Sequence, residues 1–328
     1  MTQFTHLHVH TNYSILDGQA SVEKIVSRAK ELGMEALAIT DHGSMYGVFE
    51  FYSECKKQGI KPIIGCEVYI TSGSRHSKSS REDRSGYHLI LLAKNKLGYE
   101  NLSKLVSIGH TEGFYYTPRI DFEVLEKYSE GLIASSACLG GEIPQEIMRK
   151  NNALDINDEN IEIESAIEIC QKYTNIFGED FYLELQDHGR PEQHYVNKAL
   201  IKISEKTGIP LVATNDTHFV RKEDYEAHTV LICLNTNRDI DDVDGMHYTG
   251  NEYLRSAKEM YELFYHVPVA LENTQQIAHK VEEFQLKRDV ALPNFEIPEG
   301  FSDQQEYLEH ITWEGAKDRW GECSDEIK

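Results

Sequence analysis

The sequence has 328 residues, 40% of them hydrophobic and 27% charged, which predicts a soluble globular chain large enough for one barrel or two ordinary domains. Its formal net charge of −22 excludes a broad basic surface, so any contact with nucleic acid must be local. No apolar run approaches the roughly 18 residues that cross a bilayer, and no secretion signal begins the chain, so we expect a cytoplasmic protein without membrane contacts.

Short apolar runs alternate with amphipathic segments along the chain. The apolar runs predict strands at 5–10, 36–40, 61–70, 88–93, 131–135, 181–185 and 210–214. Helical periodicity lies between them, at 22–32, 45–58, 97–109, 161–177, 193–207 and 225–234. Strands that alternate with helices predict parallel pairing in an α/β fold, and about seven such units favour a closed or nearly closed barrel.

The pattern changes after residue 284. Residues 267–284 predict a helix, and Pro293 and Pro298 predict a linker at 285–300. A further helical pattern covers 302–320, with Ser302 as its N-cap. We therefore expect a domain at 1–284, a linker at 285–300 and a helical segment at 301–328.

Cysteines and basic residues give weaker signals. The six cysteines are widely spaced without a CxxC pair, which argues against a zinc finger or a disulfide framework. The main basic cluster lies at 74–86 and predicts a mobile, solvated loop. The alternative is that its basic side chains touch a phosphate backbone near a functional site, and they are Arg75, Lys78, Arg81 and Arg84.

Metal-ligand side chains recur at predicted strand ends. His8 and His10 alternate on the first strand and so share a face, and Asp216 and His218 repeat this spacing after the last strand. Barrel enzymes assemble their sites from the carboxyl ends of several strands, so we expect the donors there to converge. His88 does not follow this rule, because it opens its strand. The remaining donors of this kind are Asp17, His42, Glu67 and Cys138.

Nine donors are too many for one ion and suit two or three divalent ions. Imidazoles, carboxylates and one thiolate fit zinc, manganese or iron, rather than the all-oxygen set typical of calcium or magnesium. The full set of predicted metal ligands is His8, His10, Asp17, His42, Glu67, His88, Cys138, Asp216 and His218.

The segments that carry these residues resemble the PHP (polymerase and histidinol phosphatase) superfamily. They lie at 6–18, 40–47, 86–95, 135–144 and 213–218. Nearly the whole chain is similar to the branch at the amino terminus of bacterial DNA polymerase III alpha subunits, a family of replicative enzymes. Asp17 and Cys138 favour that branch, because stand-alone phosphatases of the superfamily have histidine there. The resemblance implies a distorted seven-stranded α/β barrel with a helical carboxyl-terminal extension, in which 301–328 begin the polymerase palm.

The resemblance also implies how the ligands are shared. His8, His10, Glu67 and Asp216 would surround one ion and form the catalytic centre. Glu67 would bridge to a second ion held by His88 and Cys138, and Asp17, His42 and His218 would hold a third.

The activity that the resemblance implies is metal-assisted phosphodiester hydrolysis, as a 3′ to 5′ proofreading exonuclease in DNA replication. Its substrate would be the 3′ primer terminus of DNA. Its partners would be the remaining polymerase domains and replisome subunits, including a proofreading subunit. The sequence stops before an aspartate motif for nucleotide transfer, so we expect synthesis only from a longer chain.

Several alternatives stay open. Arg119 is either a phosphate contact or a plain surface arginine, and His188 either orients ligands or substrate at the site or is a loop residue. The metals could serve only a structural platform, or the chain could be a free-standing phosphatase of a small phosphate ester. The complete ligand set argues against the first function, and the polymerase-like segments argue against the second.

Overall fold

The computed structural model describes residues 3–79, 84–151, 160–242, 247–286, 293 and 295–325. It divides into two compact units, Met1–Leu286 and Lys287–Lys328. Arg81 of the predicted basic loop lies outside the described residues. No helix in the described ranges is long and apolar enough to span a bilayer.

Strands and helices alternate in the first unit. Its described strands are β1 (Ala36–Ile39), β2 (Lys61–Thr71), β3 (Tyr87–Ala93), β4 (Phe114–Tyr115), β5 (Thr117–Asp121), β6 (Leu132–Ser135), β7 (Phe181–Leu185) and β8 (Leu211–Ala213). Its described α-helices are α1 (Val22–Glu31), α2 (Val48–Gln58), α3 (Lys96–Thr111), α4 (Phe122–Lys127), α5 (Glu142–Lys150), α6 (Glu164–Phe177), α7 (Pro191–Thr207), α8 (Tyr225–Thr236), α9 (Ala257–Phe264) and α10 (Pro268–Lys280). The strands β4 and β5 and the helices α4, α5 and α9 were not predicted.

The sheet is built around the long strand β2. Along one edge β2 pairs with β1 and then with β5, both in parallel, and the other edge continues through β3, β6, β7 and β8. The prediction of parallel pairing is wrong for β3, which is antiparallel to both β2 and β6. A parallel neighbour needs a long crossover that is usually helical, and the described residues between β2 and β3 contain no α-helix. The chain therefore returns directly beside β2.

The amino-terminal segment 5–10 closes the curled sheet. The predicted strand here is wrong in detail, because the segment makes an isolated bridge, Val9 to Thr217, in place of a regular ladder. His10 N donates to Thr217 O at 2.7 Å on one side, and Thr40 N donates to Val9 O at 2.8 Å on the other. Six strands and this segment thus form the distorted seven-membered α/β barrel that was expected.

The apolar side chains of the barrel strands point to both faces. Ile90 and Leu92 of β3 pack with Ile63 and Val212 inside the curled sheet, whereas Leu91 packs with helix residues outside it. A sheet that is covered on both faces buries its strands as nearly continuous apolar runs. Most polar side chains of the site therefore lie at the strand ends and in the loops, and Glu67 is buried within β2 itself.

The carboxyl-terminal helices differ in their limits from the prediction. α10 ends at Lys280 and not at residue 284, and Glu282 N then donates to Lys94 O at 2.7 Å. The second unit contains the expected helix as α11 (Gln304–Trp320). Its N-cap is Asp303, which accepts from Glu306 N, whereas Ser302 donates its hydroxyl to the Glu306 carboxylate. The division of function between 1–284 and 301–328 stays a prediction.

Candidate metal centre

All nine predicted donors converge at one end of the barrel. Each side chain has a ligand atom within 4 Å of a ligand atom of another member of the set. They come from the closing segment and the loop after it, from β2 and β3, and from the loops that follow β1, β6 and β8. The arrangement agrees with the rule that barrel sites form at strand ends.

A first group contains His8, His10 and Asp216, whose ligand atoms all lie within 4.8 Å of one another. Asp216 Oδ1 is 3.0 Å from His8 Nε2 and 3.2 Å from His10 Nε2. Glu67 Oε2 lies 3.2 Å from His10 Nε2. The backbone of Asp216 has a positive φ of 41°, a conformation that residues other than glycine adopt mainly where the surrounding structure constrains them.

A second group surrounds the carboxylate of Glu67, which lies on β2. His42 Nδ1 is 2.7 Å from Glu67 Oε2, and His88 Nδ1 contacts Glu67 Oε1. Cys138 Sγ is 3.5 Å from His88 Nδ1 and 3.9 Å from Glu67 Oε1. The reversed direction of β3 explains His88, because the start of an antiparallel strand lies where the parallel strands end.

A third group contains His10, His42 and His218. Asp17 Oδ1 is 3.2 Å from His42 Nε2, and Asp17 Oδ2 is 3.8 Å from His218 Nε2. The His10 ring lies 4.1 Å from that of His42 and 4.4 Å from that of His218, measured between centroids. His10 therefore adjoins two of the groups, whereas the resemblance assigned it to one.

The donor atoms fit divalent cations better than they fit one another. Buried polar atoms that make no well-aligned hydrogen bond are costly, and five of them cluster here although they lie close to one another in the ion pairs above. They are Asp17 Oδ1, His42 Nδ1, Glu67 Oε2, Asp216 Oδ1 and His218 Nε2. Burial would raise the pKa of Glu67, but His88 and His42 bring it well below its ordinary value. Burial likewise opposes ionisation of Asp216, and His8 and His218 nevertheless hold its pKa well below the usual range.

A buried carboxylate that sequence analysis missed supports His8 from behind. Glu184 of β7 places Oε1 2.7 Å from His8 Nδ1 and accepts from the hydroxyls of Ser135 and Thr214. Burial would raise its pKa, but the nearby His8 imidazole lowers it. Glu184 carried the same sequence signal as Glu67, because each is a single carboxylate within an apolar strand.

His10 and Asp17 are supported by other polar residues. His10 Nδ1 is 2.9 Å from Ser14 Oγ, which donates to Asp41 Oδ1 at 2.8 Å. The Tyr248 hydroxyl donates to Asp17 Oδ2 at 2.9 Å. Such contacts fix the orientation of ligands, and no periodicity or motif points to Tyr248.

The structure gives a structural role to Arg119 and Arg75, for each of which phosphate contact was one of two alternatives. Arg119 is fully buried and donates to the backbone carbonyls of Gly113, Arg75 and Ser77. Arg75 is buried and bonded to the carboxylates of Glu112, Asp121 and Glu123. Both guanidinium groups hold loops together and are turned away from solvent. Lys78 and Arg84 are exposed.

His188 is placed beneath the centre. It is 5% exposed, and its Nε2 lies 2.9 Å from the carbonyl oxygen of Asn215, the residue before Asp216. Its Nδ1 lies 3.0 Å from Gln193 Nε2. This position suits the orientation of Asp216, whereas contact of His188 with substrate stays a prediction.

Three comparisons place the chain among known proteins. Residues 6–188 match the PHP domain model. The DNA polymerase III subunit alpha of Borreliella burgdorferi is 46% identical over 330 residues, which cover 100% of this chain and 28% of that protein. That of Treponema pallidum is 41% identical over 328 residues, covering 99% and 27%. The chain thus spans little more than a quarter of these relatives.

Among solved structures, a two-domain protein from Bacteroides vulgatus that contains a predicted PHP-like metal-dependent phosphoesterase matches with a TM-score of 0.42 and 11% identity. That match covers 88% of this chain and 73% of the other. The PHP model covers more than half of the present sequence. The chain therefore belongs to the PHP domain family.

Proposed function

We propose that the chain is the amino-terminal PHP region of a bacterial DNA polymerase III alpha subunit and hydrolyses phosphodiester bonds with divalent metal ions. The observation that carries the proposal is the convergence of nine donors, five of whose buried atoms lack hydrogen-bond partners. Identity of 46% along the whole chain supports the polymerase assignment. The finer part of the proposal is 3′ to 5′ exonuclease activity on a primer terminus.

Two or three ions of zinc, manganese or iron would be held by the groups described above. When bound, such ions stabilise charge on phosphoryl oxygens and lower the pKa of water toward neutrality. The chain's own residues hold the donors in place: Glu184 fixes the ring of His8, and Ser14 fixes that of His10. Burial raises the pKa of the Cys138 thiol well above its usual value, so thiolate at this position requires a cation beside it.

Nucleotide transfer belongs, in this proposal, to the remaining polymerase domains of a longer chain. Within that polymerase the PHP region would act on the 3′ end that the polymerase extends. Partners in the replisome, including a separate proofreading subunit, belong to the same proposal and follow from the polymerase assignment.

Removal of one donor tests the proposal. Asp216→Ala or His8→Ala should lower manganese-dependent release of nucleotides from a mismatched, labelled primer by about 100-fold or more, because charge stabilisation in a closed site depends on each donor. His279→Ala, which changes an exposed histidine on α10, is the matched control and should keep the parent activity.

The outcomes separate three functions. Loss of primer cleavage in the donor variants alone supports the exonuclease. Cleavage of a small phosphate ester without cleavage of the primer favours a stand-alone phosphatase. Metal bound in stoichiometric amount with neither activity favours a structural platform, and unchanged primer cleavage in both donor variants contradicts the assignment of the site.

A further inference from the structure

Exposed aromatic side chains lie beside the metal centre. Tyr46 is 68% exposed, Phe114 49% and Tyr116 64%. The ring of His110 joins the first two, with centroids 6.3 Å from Tyr46 and 6.2 Å from Phe114, the latter nearly parallel. We call Tyr46, His110, Phe114 and Tyr116 the aromatic rim. Large exposed rings in one place are typical of binding surfaces.

Backbone and ring contacts connect the aromatic rim to the metal centre. His110 Nε2 lies 2.9 Å from the carbonyl oxygen of Gly43, the residue that follows His42. Tyr69 packs beside the metal centre, with its ring centroid 6.3 Å from that of His42 and 5.3 Å from that of His88. A Cβ on Gly43 would lie 3.0 Å from the Tyr69 ring, so the loop fits closely against it.

Tyr116 is held outward by a tight hairpin. The strands β4 and β5 pair Tyr115 with Thr117, which leaves Tyr116 at the tip with a positive φ of 65°. Glycine or asparagine would adopt this backbone conformation with less strain. Arg84 places its guanidinium over the Tyr116 ring, 5.1 Å from the centroid. Strained residues of this kind concentrate at ligand-binding positions.

We propose that the aromatic rim binds single-stranded DNA by base stacking and so directs a 3′-terminal phosphodiester to the metal centre. This inference rests on the proposed function and adds the surface that selects an unpaired strand. A chain with a net charge of −22 lacks a broad basic surface for the phosphate backbone. Stacking of bases on aromatic rings supplies affinity that does not depend on net charge, and Arg84, over the Tyr116 ring, adds a local positive charge for the backbone.

The rim implies a preference for frayed ends. A base in a duplex is already stacked, whereas an unpaired base offers its faces to protein rings. A mismatched terminus, which frays, would therefore reach the metal centre more readily than a matched one. The preference for unpaired ends would then come from the aromatic rim and not from the residues that bind the metal ions.

The test compares two substrates and a direct binding measurement. Tyr46→Leu, Phe114→Leu and Tyr116→Gly are made singly and together in the full 328-residue chain, with Tyr265→Leu as control, since Tyr265 is 77% exposed and outside the rim. Affinity for a fluorescein-labelled oligothymidylate is measured by anisotropy. Manganese-dependent hydrolysis is measured on that oligonucleotide and on bis(4-nitrophenyl) phosphate.

We expect each rim substitution to weaken oligonucleotide binding by about 10-fold, the size typical of one lost stacking contact. The KM for the oligonucleotide should rise by a similar factor. Hydrolysis of the small diester should stay at the parent rate. Tyr116→Gly removes the strain at φ 65°, so its binding loss cannot be attributed to unfolding.

Two results would overturn the inference: no binding of the oligonucleotide by the parent chain, or equal affinity in the parent and the triple variant. The second would point to a protein partner for the rim. Failure of the proposed function looks different, because the parent chain would then hydrolyse neither substrate while the anisotropy measurement still tests the rim.

Discussion

In the part of the chain that the structure describes, no lysine or arginine forms an ion pair with the buried carboxylate of Glu67. Its carboxylate contacts imidazoles from three separate parts of the chain, His10, His42 and His88. Imidazoles are neutral metal ligands as well as cations, so the same arrangement can serve a protonated state and a metal-loaded one. A buried carboxylate with such neighbours is the expected bridge between two cation positions.

Glu184 provides a prediction at the same scale. Glu184→Gln keeps the shape of the side chain but removes the charge that orients His8, so metal affinity should fall by about 10–100-fold. Isothermal titration with zinc or manganese measures the change.

Glu142→Gln is the matched control, because Glu142 is also buried and its carboxylate accepts from the hydroxyl of Tyr173 and not from any of the nine described donors. Its metal affinity should equal that of the parent. Equal affinities for the Glu184 and Glu142 variants would show that Glu184 does not support the centre.

Residue type and spacing predicted the donors better than they predicted substrate contacts. His8, His10, Asp216 and His218 stand at alternating positions, and alternation constrains direction. Arg119 carried no such constraint, and in the structure it is buried against backbone carbonyls. A charged side chain in a loop pattern gives no information on whether it faces solvent or the protein.

At the scale of elements, strand and helix positions followed from apolar periodicity, but strand direction did not. The helix that follows β3 suggested another parallel unit, and only the absence of a helix between β2 and β3 would have indicated the reversal. Because of that reversal, His88, near the start of β3, lies in the metal centre. The strand β4 escaped prediction because its two residues are too few to show alternation.

Asp180 joins three elements through two lysines. Its carboxylate lies 2.5 Å from Lys94 Nζ, just after β3, and 2.8 Å from Lys280 Nζ, at the end of α10. Burial would raise the pKa of Asp180, but the two ammonium groups lower it below its usual value. The charged carboxylate therefore stabilises the folded state above the ordinary pKa of about 4, and this contribution is lost as pH falls through the lowered value.

Asp180→Asn should accordingly lower the free energy of unfolding by about 1–2 kcal/mol at pH 7. The difference from the parent should shrink below about pH 4 and disappear at lower pH. Urea unfolding across this range measures it, with Glu54→Gln as control, because its partner Lys57 is exposed and such pairs contribute little. If the difference in unfolding free energy between the parent and Asp180→Asn grew on acidification, the expected pH dependence would be contradicted.

At the scale of the whole molecule, metal loading should be visible as thermal stability. A cation at 100 times its dissociation constant stabilises the folded state by about 2.7 kcal/mol. For a unit of this size that raises Tm by roughly 5 °C. Calorimetry of the chain stripped with chelator, then supplied with manganese or zinc, measures the shift.

Glu67→Gln tests whether the shift arises at the proposed centre. Removal of the carboxylate between the groups should abolish most of the rise in Tm, whereas the Glu142→Gln control should retain it. An equal rise in all three proteins would place the bound metal elsewhere.

The closure of the barrel by segment 5–10 has a consequence for synthesis on the ribosome. His10 finds its backbone partner in Thr217, so segment 5–10 must wait for residues that are synthesised much later. At about 5–20 residues per second, that delay is roughly 10–40 s. During this time His8 and His10 have no partners with which to bind a metal. The metal centre assembles only when the barrel closes.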